Sequence, residues 1–345
     1  MPAPVKHSFI VALLTVLTLY AVETGALASP VTSAPSEAQP VVVHVGLLIR
    51  NLTAIDEVKE NWQLTGLLIA KWTDRRLRYP SARGELYRDL PDATWKPSFE
   101  IVNEVTPTNF RFVDLYAKPD GTVVFTQTFN AILSTNLDLR RFPFDFQVLQ
   151  LVVQARGDEL DRTILRSDSK DSPLPKRGYA GLAQWVPLSL TEQLGTVAGS
   201  ASRANDVQFL LKVRRNPKSY VWKFIVPLLL LVIISWVTFW LSHEEFKTKD
   251  QLQSAVATLL IIVAFNITAT SLLPRTEYIT YIDAFLFAAF IFVVISIATI
   301  VGTHILQRRH SEARALFVRR LAGVALPVLF VITQAALFFA FHIAG

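Results

Sequence analysis

After residue 217 the chain changes solvent. Four apolar runs, at about 219–241, 251–272, 279–305 and 318–342, each approach the twenty or so residues that an α-helix needs to cross hydrocarbon. Lipid offers no partner for a free backbone N–H or C=O, so such runs are stable there only as helices that pair internally. Residues 218–345 are therefore expected to form an all-α four-helix transmembrane domain, and the rest of the chain must fold beside it.

Residues 41–217 have the balance of an ordinary soluble protein. Short strand-like runs such as "VVVHVGLLI", "WQLTGLLIAKW", "FRFVDLYA" and "TVVFTQTF" are separated by turn residues. Between the last two stands "KPDG", in which proline presets one turn angle and glycine tolerates positive φ. Many short strands without a long amphipathic helix point to an all-β, immunoglobulin-like sandwich. The fold class expected is thus an extracellular sandwich fused to a four-helix membrane domain.

The N-terminus supplies the direction. Residues 1–28 read as a signal peptide, with Lys6 first, an apolar stretch from Phe9 to Val22, and Ala26-Leu27-Ala28 at the cleavage distance. Residues 29–40 then read as a flexible lead-in. Export places the sandwich and, after four spans, the C-terminus outside, which in a bacterium is the periplasm. The connections 242–250 and 306–317 fall in the cytoplasm, and the second of them, with the start of the last span, carries Arg308, Arg309, Arg314, Arg319 and Arg320, in agreement with the positive-inside rule. The expected location is a bacterial inner membrane, crossed several times.

Several function classes drop out. With no cysteine there is no disulfide or thiolate chemistry. The net charge of +6 does not gather into a basic tract with interleaved aromatics, so no nucleic-acid partner is expected. Six histidines are scattered over signal, sandwich and membrane edges, with no metal pair, phosphate loop or nucleophile elbow. Neither enzyme activity nor a cofactor is expected.

The second apolar run differs from its neighbours. Taking every third or fourth residue from Asp250 gives Gln253, Ala257, Leu260, Ala264, Ile267 and Ser271 as one stripe, polar at both ends and apolar between. Around a symmetric pore it would form a polar mouth and a hydrophobic constriction. The other reading is that these polar groups bind helices together, which suits Asn266 at an angle to the stripe.

A second anomaly is "RRFPFDFQ" at 140–147: proline and aspartate among three phenylalanines, between two strand-like runs. A loop tip is normally polar, and this one needs an apolar receiver.

These features resemble the pentameric ligand-gated ion channels of the Cys-loop receptor superfamily. The octet is similar to the family's signature loop; "RRNPKSYVWKFIVPL" at 214–228 looks like its strand-to-membrane junction. "AIDEVKEN" with "KWTDRRL" in 54–77, "WKPSFEIVN" at 95–103 and "LPRTEYITYIDA" at 273–284 extend the resemblance over nearly everything from about 41 onward. Where animal receptors carry the two loop cysteines this chain has Thr135 and Leu149, which resembles the prokaryotic members. Its motifs lie nearest the Erwinia-type bacterial channels, with some Gloeobacter-type features.

The resemblance implies a homopentamer with a pore lined by the second span. Asp250, Gln253, Ala257, Leu260, Ala264, Ile267 and Ser271 then line that pore, with Leu260 at the gate. It implies permeant monovalent cations, although Lys247 and Lys249 lie among the acids Glu245 and Asp250 of a linker longer than in bacterial relatives. It implies a coupling interface of Asp56, Glu57, Phe142, Pro143, Phe144, Asp145, Arg215, Pro274 and Arg275. Asp145 is expected to pair with Arg215, with Asp56 or Glu57 as second acid, while Phe142 and Phe144 rest on the helix tops. The agonist, a small molecule or protons, is expected between subunits. Positions aligned with the family's aromatic box hold Leu67, Val102 and Gln154, leaving Glu100, Arg111, Thr126, Gln154 and Arg156 as candidate ligand contacts. The alternative is a non-conducting exported sensor anchored in membrane lipid by its four spans.

Overall fold

The computed structural model describes residues 30–36, 39–80, 88–157, 162–174, 184–196, 205–237, 239–240, 248–271, 277–309 and 312–343. The signal peptide, Pro274, Arg275 and Glu245 lie outside the described residues, as does the side chain of Ser271.

Among the described residues ten strands form the first domain. They are β1 (Val41–Asp56), β2 (Asn61–Thr73), β3 (Arg88–Asp89), β4 (Phe99–Ile101), β5 (Asn109–Ala117), β6 (Thr122–Ser134), β7 (Phe146–Ala155), β8 (Thr163–Ser167), β9 (Trp185–Thr196) and β10 (Asn205–Arg215). They pair as a six-stranded sheet, β3-β5-β6-β2-β1-β8, and a four-stranded sheet, β4-β7-β10-β9. The period-two pattern is plain in β1, where Val41, Val43, Val45 and Leu47 are buried while Val42 and His44 are exposed. Val207, Phe209, Leu211 and Val213 of β10 answer from the facing sheet, and the core between the two layers also holds Trp62, Phe129 and Leu151.

The β5–β6 turn follows its residues. Lys118 N–H donates to Thr122 O at 2.8 Å and Gly121 N–H to Lys118 O at 2.9 Å. Gly121 has φ +84°, and a Cβ there would lie 2.7 Å from the Asp74 carbonyl oxygen, so glycine is required twice over. The lead-in is less free than its composition suggests: Trp95 N–H donates to Val31 O at 2.7 Å, and Arg76 donates to Ser33 O at 2.9 Å. A pair of backbone acceptors of this kind is invisible to a composition argument.

Among the described residues four helices follow: α1 (Lys218–Val237), α2 (Thr248–Ser271), α3 (Tyr281–Arg308) and α4 (Glu312–Ile343). α1 includes a π-helical turn at Val221–Ile225, just ahead of Pro227. α3 opens with a capping box in which Thr280 and Asp283 satisfy each other's backbone N–H. Among the described residues α1, α3 and α4 are long and apolar enough to cross a membrane. α2 carries a shorter apolar stretch, Leu252–Phe265, which itself includes Gln253 and Ser254 and is flanked by Gln251 before it and Asn266, Thr268, Thr270 and Ser271 after it. α4 starts at Glu312 rather than near 318, because helical hydrogen bonding continues through arginines that hydropathy leaves out of a span.

Candidate functional site

The two domains meet around the loop from β6 to β7. Its base is closed by Thr135, whose hydroxyl donates to Val148 O at 3.2 Å beside the buried Leu149. Gln147 braces the interior: its Oε1 accepts from Asp138 N–H at 3.0 Å, and its Nε2 donates to Asp138 O at 2.7 Å and to Asp145 Oδ2 at 2.6 Å. The Phe142–Pro143 peptide bond is cis.

The aromatic residues of the loop point to different receivers. Phe144 packs toward the membrane helices, with ring centroids 5.9 Å from Tyr281, 5.8 Å from Phe338 and 5.9 Å from His342. It thus touches α3 and the far end of α4. Phe142 turns inward instead, 4.7 Å from Tyr220 and beneath Arg215. Both rings lie on helix ends, Phe142 on the first turn of α1 and beneath the Arg215 guanidinium, Phe144 on the start of α3 and the end of α4.

Arg215 is the last residue of β10, and its side chain is 0% exposed. A bare guanidinium there would be costly. Its edges are fully directed: Nε donates to Asp145 Oδ1 at 2.7 Å, Nη2 to Asp145 Oδ2 at 3.2 Å and Nη1 to Glu57 Oε1 at 2.6 Å. Its faces lie against rings, with Trp185 at 4.1 Å and Phe142 at 4.8 Å from Cζ. Burial pulls the guanidinium toward a lower pKa, but the hydrogen bonds and charges of Asp145 and Glu57 outweigh it and hold the pKa above its ordinary value. Asp56 does not join: its Oδ1 accepts from Val58 N–H and Lys59 N–H, shaping the β1–β2 turn.

The segment before α3 reaches the same loop. Tyr281 N–H donates to Arg140 O at 2.8 Å, Leu139 N–H donates to the Tyr278 hydroxyl at 3.0 Å, and Arg140 lies over the Tyr278 ring. Sequence reading missed Tyr278, Trp185 and Gln147. Trp185 stands opposite Arg215 in the β9–β10 register, which strand pairing reveals and a linear motif does not.

The candidate ligand residues divide between the sheets. Glu100, Gln154, Asp206 and Gly195 stand in one cross-strand row over β4, β7, β10 and β9. Arg156, just past β7, is exposed, and its N–H donates to Ser98 O at 2.9 Å. Arg111 and Thr126 sit on β5 and β6 of the other sheet, so one chain does not bring all five together. Asp206, unremarked in the sequence, is buried. Its Oδ2 accepts from Gln208 Nε2 at 2.8 Å, while Oδ1 has no hydrogen-bond partner. A Cβ at Gly195 would collide with the Gln208 amide and lie 2.6 Å from Asp206 Oδ2.

On α2, Leu260 is 65% and Ile267 67% exposed on the single chain, with Asp250, Gln253, Ala257 and Ala264 exposed beside them. The opposite face is spent inside the bundle, through Ala255 at 0%, Thr258 at 4% and Ile262 at 1%.

Comparison with known sequences decides the family. The pattern of the neurotransmitter-gated ion-channel ligand binding domain matches residues 27–217, and that of the neurotransmitter-gated ion-channel transmembrane region matches 224–332. The chain belongs to the neurotransmitter-gated ion-channel family. It is 28% identical over 311 residues to the proton-gated ion channel of Gloeobacter violaceus, covering 89% of this chain and 85% of that one. It is 26% identical over 270 residues to gamma-aminobutyric acid receptor subunit beta-4 of Gallus gallus, covering 75% of this chain and 54% of that subunit. It is 25% identical over 266 residues to gamma-aminobutyric acid receptor subunit beta of Caenorhabditis elegans, covering 73% and 47%. Within the neurotransmitter-gated family the chain, without cysteine, is of the prokaryotic pentameric type that lacks the loop disulfide. It is a multi-pass membrane channel subunit.

Proposed function

We propose that five copies of this chain form a homopentamer that conducts monovalent cations across a bacterial inner membrane, with the sandwich and C-terminus in the periplasm. The pore is lined by α2 through Asp250, Gln253, Ala257, Leu260, Ala264, Ile267 and Ser271. The observation that carries the reading is the face of α2 left open on the single chain: Asp250, Gln253, Ala257, Leu260, Ala264 and Ile267 stay exposed while Ala255, Thr258 and Ile262 pack inside the bundle. Five Leu260 side chains facing one axis make a barrier, because an ion cannot shed its water there at acceptable cost. Asp250, exposed in the first turn of the helix, supplies the acidic ring that favours cations.

A small ligand or protons acting on the sandwich open the pore, and the Gloeobacter relative's description as proton-gated supports testing protons first. Motion of the sandwich passes through Asp145, Arg215, Glu57 and the signature loop to Tyr278 and α3, and from there, through the segment holding Pro274 and Arg275, to α2. The test is ion flux from liposomes holding the full chain, with pH stepped and small amines and carboxylates screened, for the parent and for Leu260→Ser. Leak or eased opening in Leu260→Ser supports the gate; identical resting and activated flux removes Leu260 from it. A reversal potential moving toward chloride overturns cation selectivity. A confirmed pentamer silent under every condition favours the non-conducting sensor.

A further inference from the structure

Between Leu321 and Ile343 the one ionisable side chain of α4 is His342, and it stands where the helix meets the sandwich. Its ring stacks on Phe338, with centroids 4.0 Å and planes 26° apart, and lies 5.9 Å from Phe144 of the β6–β7 loop. Nδ1 is 2.9 Å from Phe338 O. A carbonyl only accepts, so in the neutral ring Nδ1 carries the hydrogen and Nε2 keeps its lone pair. Among the described residues no donor occupies Nε2.

The charged groups around the ring come from two elements. The β6–β7 loop brings Asp138, Arg140 and Arg141, which line a cavity of about 500 Å³ together with Ala340 and Phe341 of α4. Its fourth charge, Asp145, is taken up by Arg215 and Gln147. α3 brings Tyr281, packed on Phe144 and Phe338, and Asp283, whose Oδ2 accepts from the Thr280 N–H and hydroxyl. Ahead of α3 stand Glu277 and Tyr278, the latter beneath Arg140. Among the described residues no acid pairs with His342.

We propose that His342 is a proton-binding site through which acid on the sandwich side of the membrane tightens the contact between α4 and the β6–β7 loop. Uptake of one solvent proton at Nε2 leaves Nδ1 on its carbonyl and makes the ring a cation. Phe144 lies within the reach of about 6 Å over which a ring attracts a cation. The charge also stands in the last turn of α4, at the negative end of the helix dipole. Arg140 and Arg141 oppose it from across the cavity, but Asp138 is 4.0 Å from Arg140, and Arg140 is exposed and drawn over Tyr278. Imidazole ordinarily changes charge between about pH 5 and 8, so the contact strengthens as pH falls through that range. The membrane domain thereby has a pH input separate from the candidate ligand row on the sandwich. It requires the contact and not conduction, so a channel that never conducts would still show it.

Urea titration of the assembled chain in detergent, at pH 5 and pH 8, tests this with Phe144→Ala, His342→Phe and the double variant. His342→Phe keeps a ring on Phe338 and removes the proton site. In chains with His342, the loss of folding equilibrium constant caused by Phe144→Ala should be about two- to fivefold greater at pH 5 than at pH 8, the value of one cation–π contact. With His342→Phe the loss should be the same at both pH values. Where urea unfolding does not reverse, the melting-temperature shift caused by Phe144→Ala carries the same comparison. A pH-independent loss in chains with His342 overturns the proposal. So does an equal pH dependence in the His342→Phe background, which would assign it to another group.

Discussion

Removing both partners of the Asp145–Arg215 pair should cost no more than removing Arg215 alone. Each side chain is essentially sealed, at 1% and 0% exposure, so a lone survivor keeps its charge without water. Breaking such a buried pair costs about 3–5 kcal/mol. Asp145→Asn should sit near 3 kcal/mol, because Arg215 keeps Glu57, which is 18% exposed and partly hydrated. Arg215→Met should approach 5 kcal/mol, since it leaves the Asp145 carboxylate with Gln147 Nε2 alone at 2.6 Å. The double variant buries no charge at this contact and should cost about 5 kcal/mol rather than the roughly 8 that addition gives. The coupling of about 3 kcal/mol is readable by urea titration of tryptophan fluorescence in detergent, with Trp185 over the guanidinium as reporter. Arg215 has a raised pKa, so its contribution is complete at every pH below the ordinary arginine range and fades only above it. The coupling should therefore be the same at pH 6 and pH 9 on the Arg215 side. Additive costs, within about 0.5 kcal/mol, would refute the pair as an energetic unit.

Three further outcomes are expected. Gly195→Ala should break the Gln208–Asp206 contact and shift the activating ligand or proton concentration without altering the pentamer's mass; an unchanged dose response removes that row from the ligand site. Phe144→Ala strips the loop's contacts with Tyr281, Phe338 and His342, so activated flux should fall while resting flux stays at background. Flux equal to the parent's would make the contact adhesive only. Asp120 accepts from Thr122 N–H at 2.9 Å, and the hydrogen bonds from Thr122 lower its pKa from 3.8. A lowered carboxylate pKa gives stability above pH 3.8 that is lost as pH falls through the native value. Asp120→Asn should thus melt below the parent at pH 6, with the gap closing toward pH 3; a constant gap would place its origin outside that charge.

The division of labour between sequence and structure follows from range. Period-two burial in β1 and the apolar runs of the helices are local, so both domains were readable from neighbouring residues. The greasy octet announced a receiver without naming it. Phe142 and Phe144 look alike in sequence, yet one packs on Tyr220 and the other on Phe338, and only tertiary geometry separates them. The same holds for Asp56 and Glu57. They are adjacent, but the first closes its own turn while the second reaches Arg215. Trp185 carried no local signal, because its role is set by a cross-strand register 30 residues away in the chain. Asp206 became notable only once its Oδ1 was found buried and without a partner.

The closure of the signature loop has a consequence for where this channel can mature. Thr135 and Gln147 fasten the loop with bonds that form and break on their own, and no oxidant is needed to set them. Folding of the loop is therefore indifferent to thiol poise, and it can re-form after unfolding without an isomerase to sort partners. Synthesis in a fully reducing cell-free extract, supplied with bilayer, should give the same loop as export through an oxidising compartment. A channel built this way carries the loop between its two domains as a purely non-covalent object.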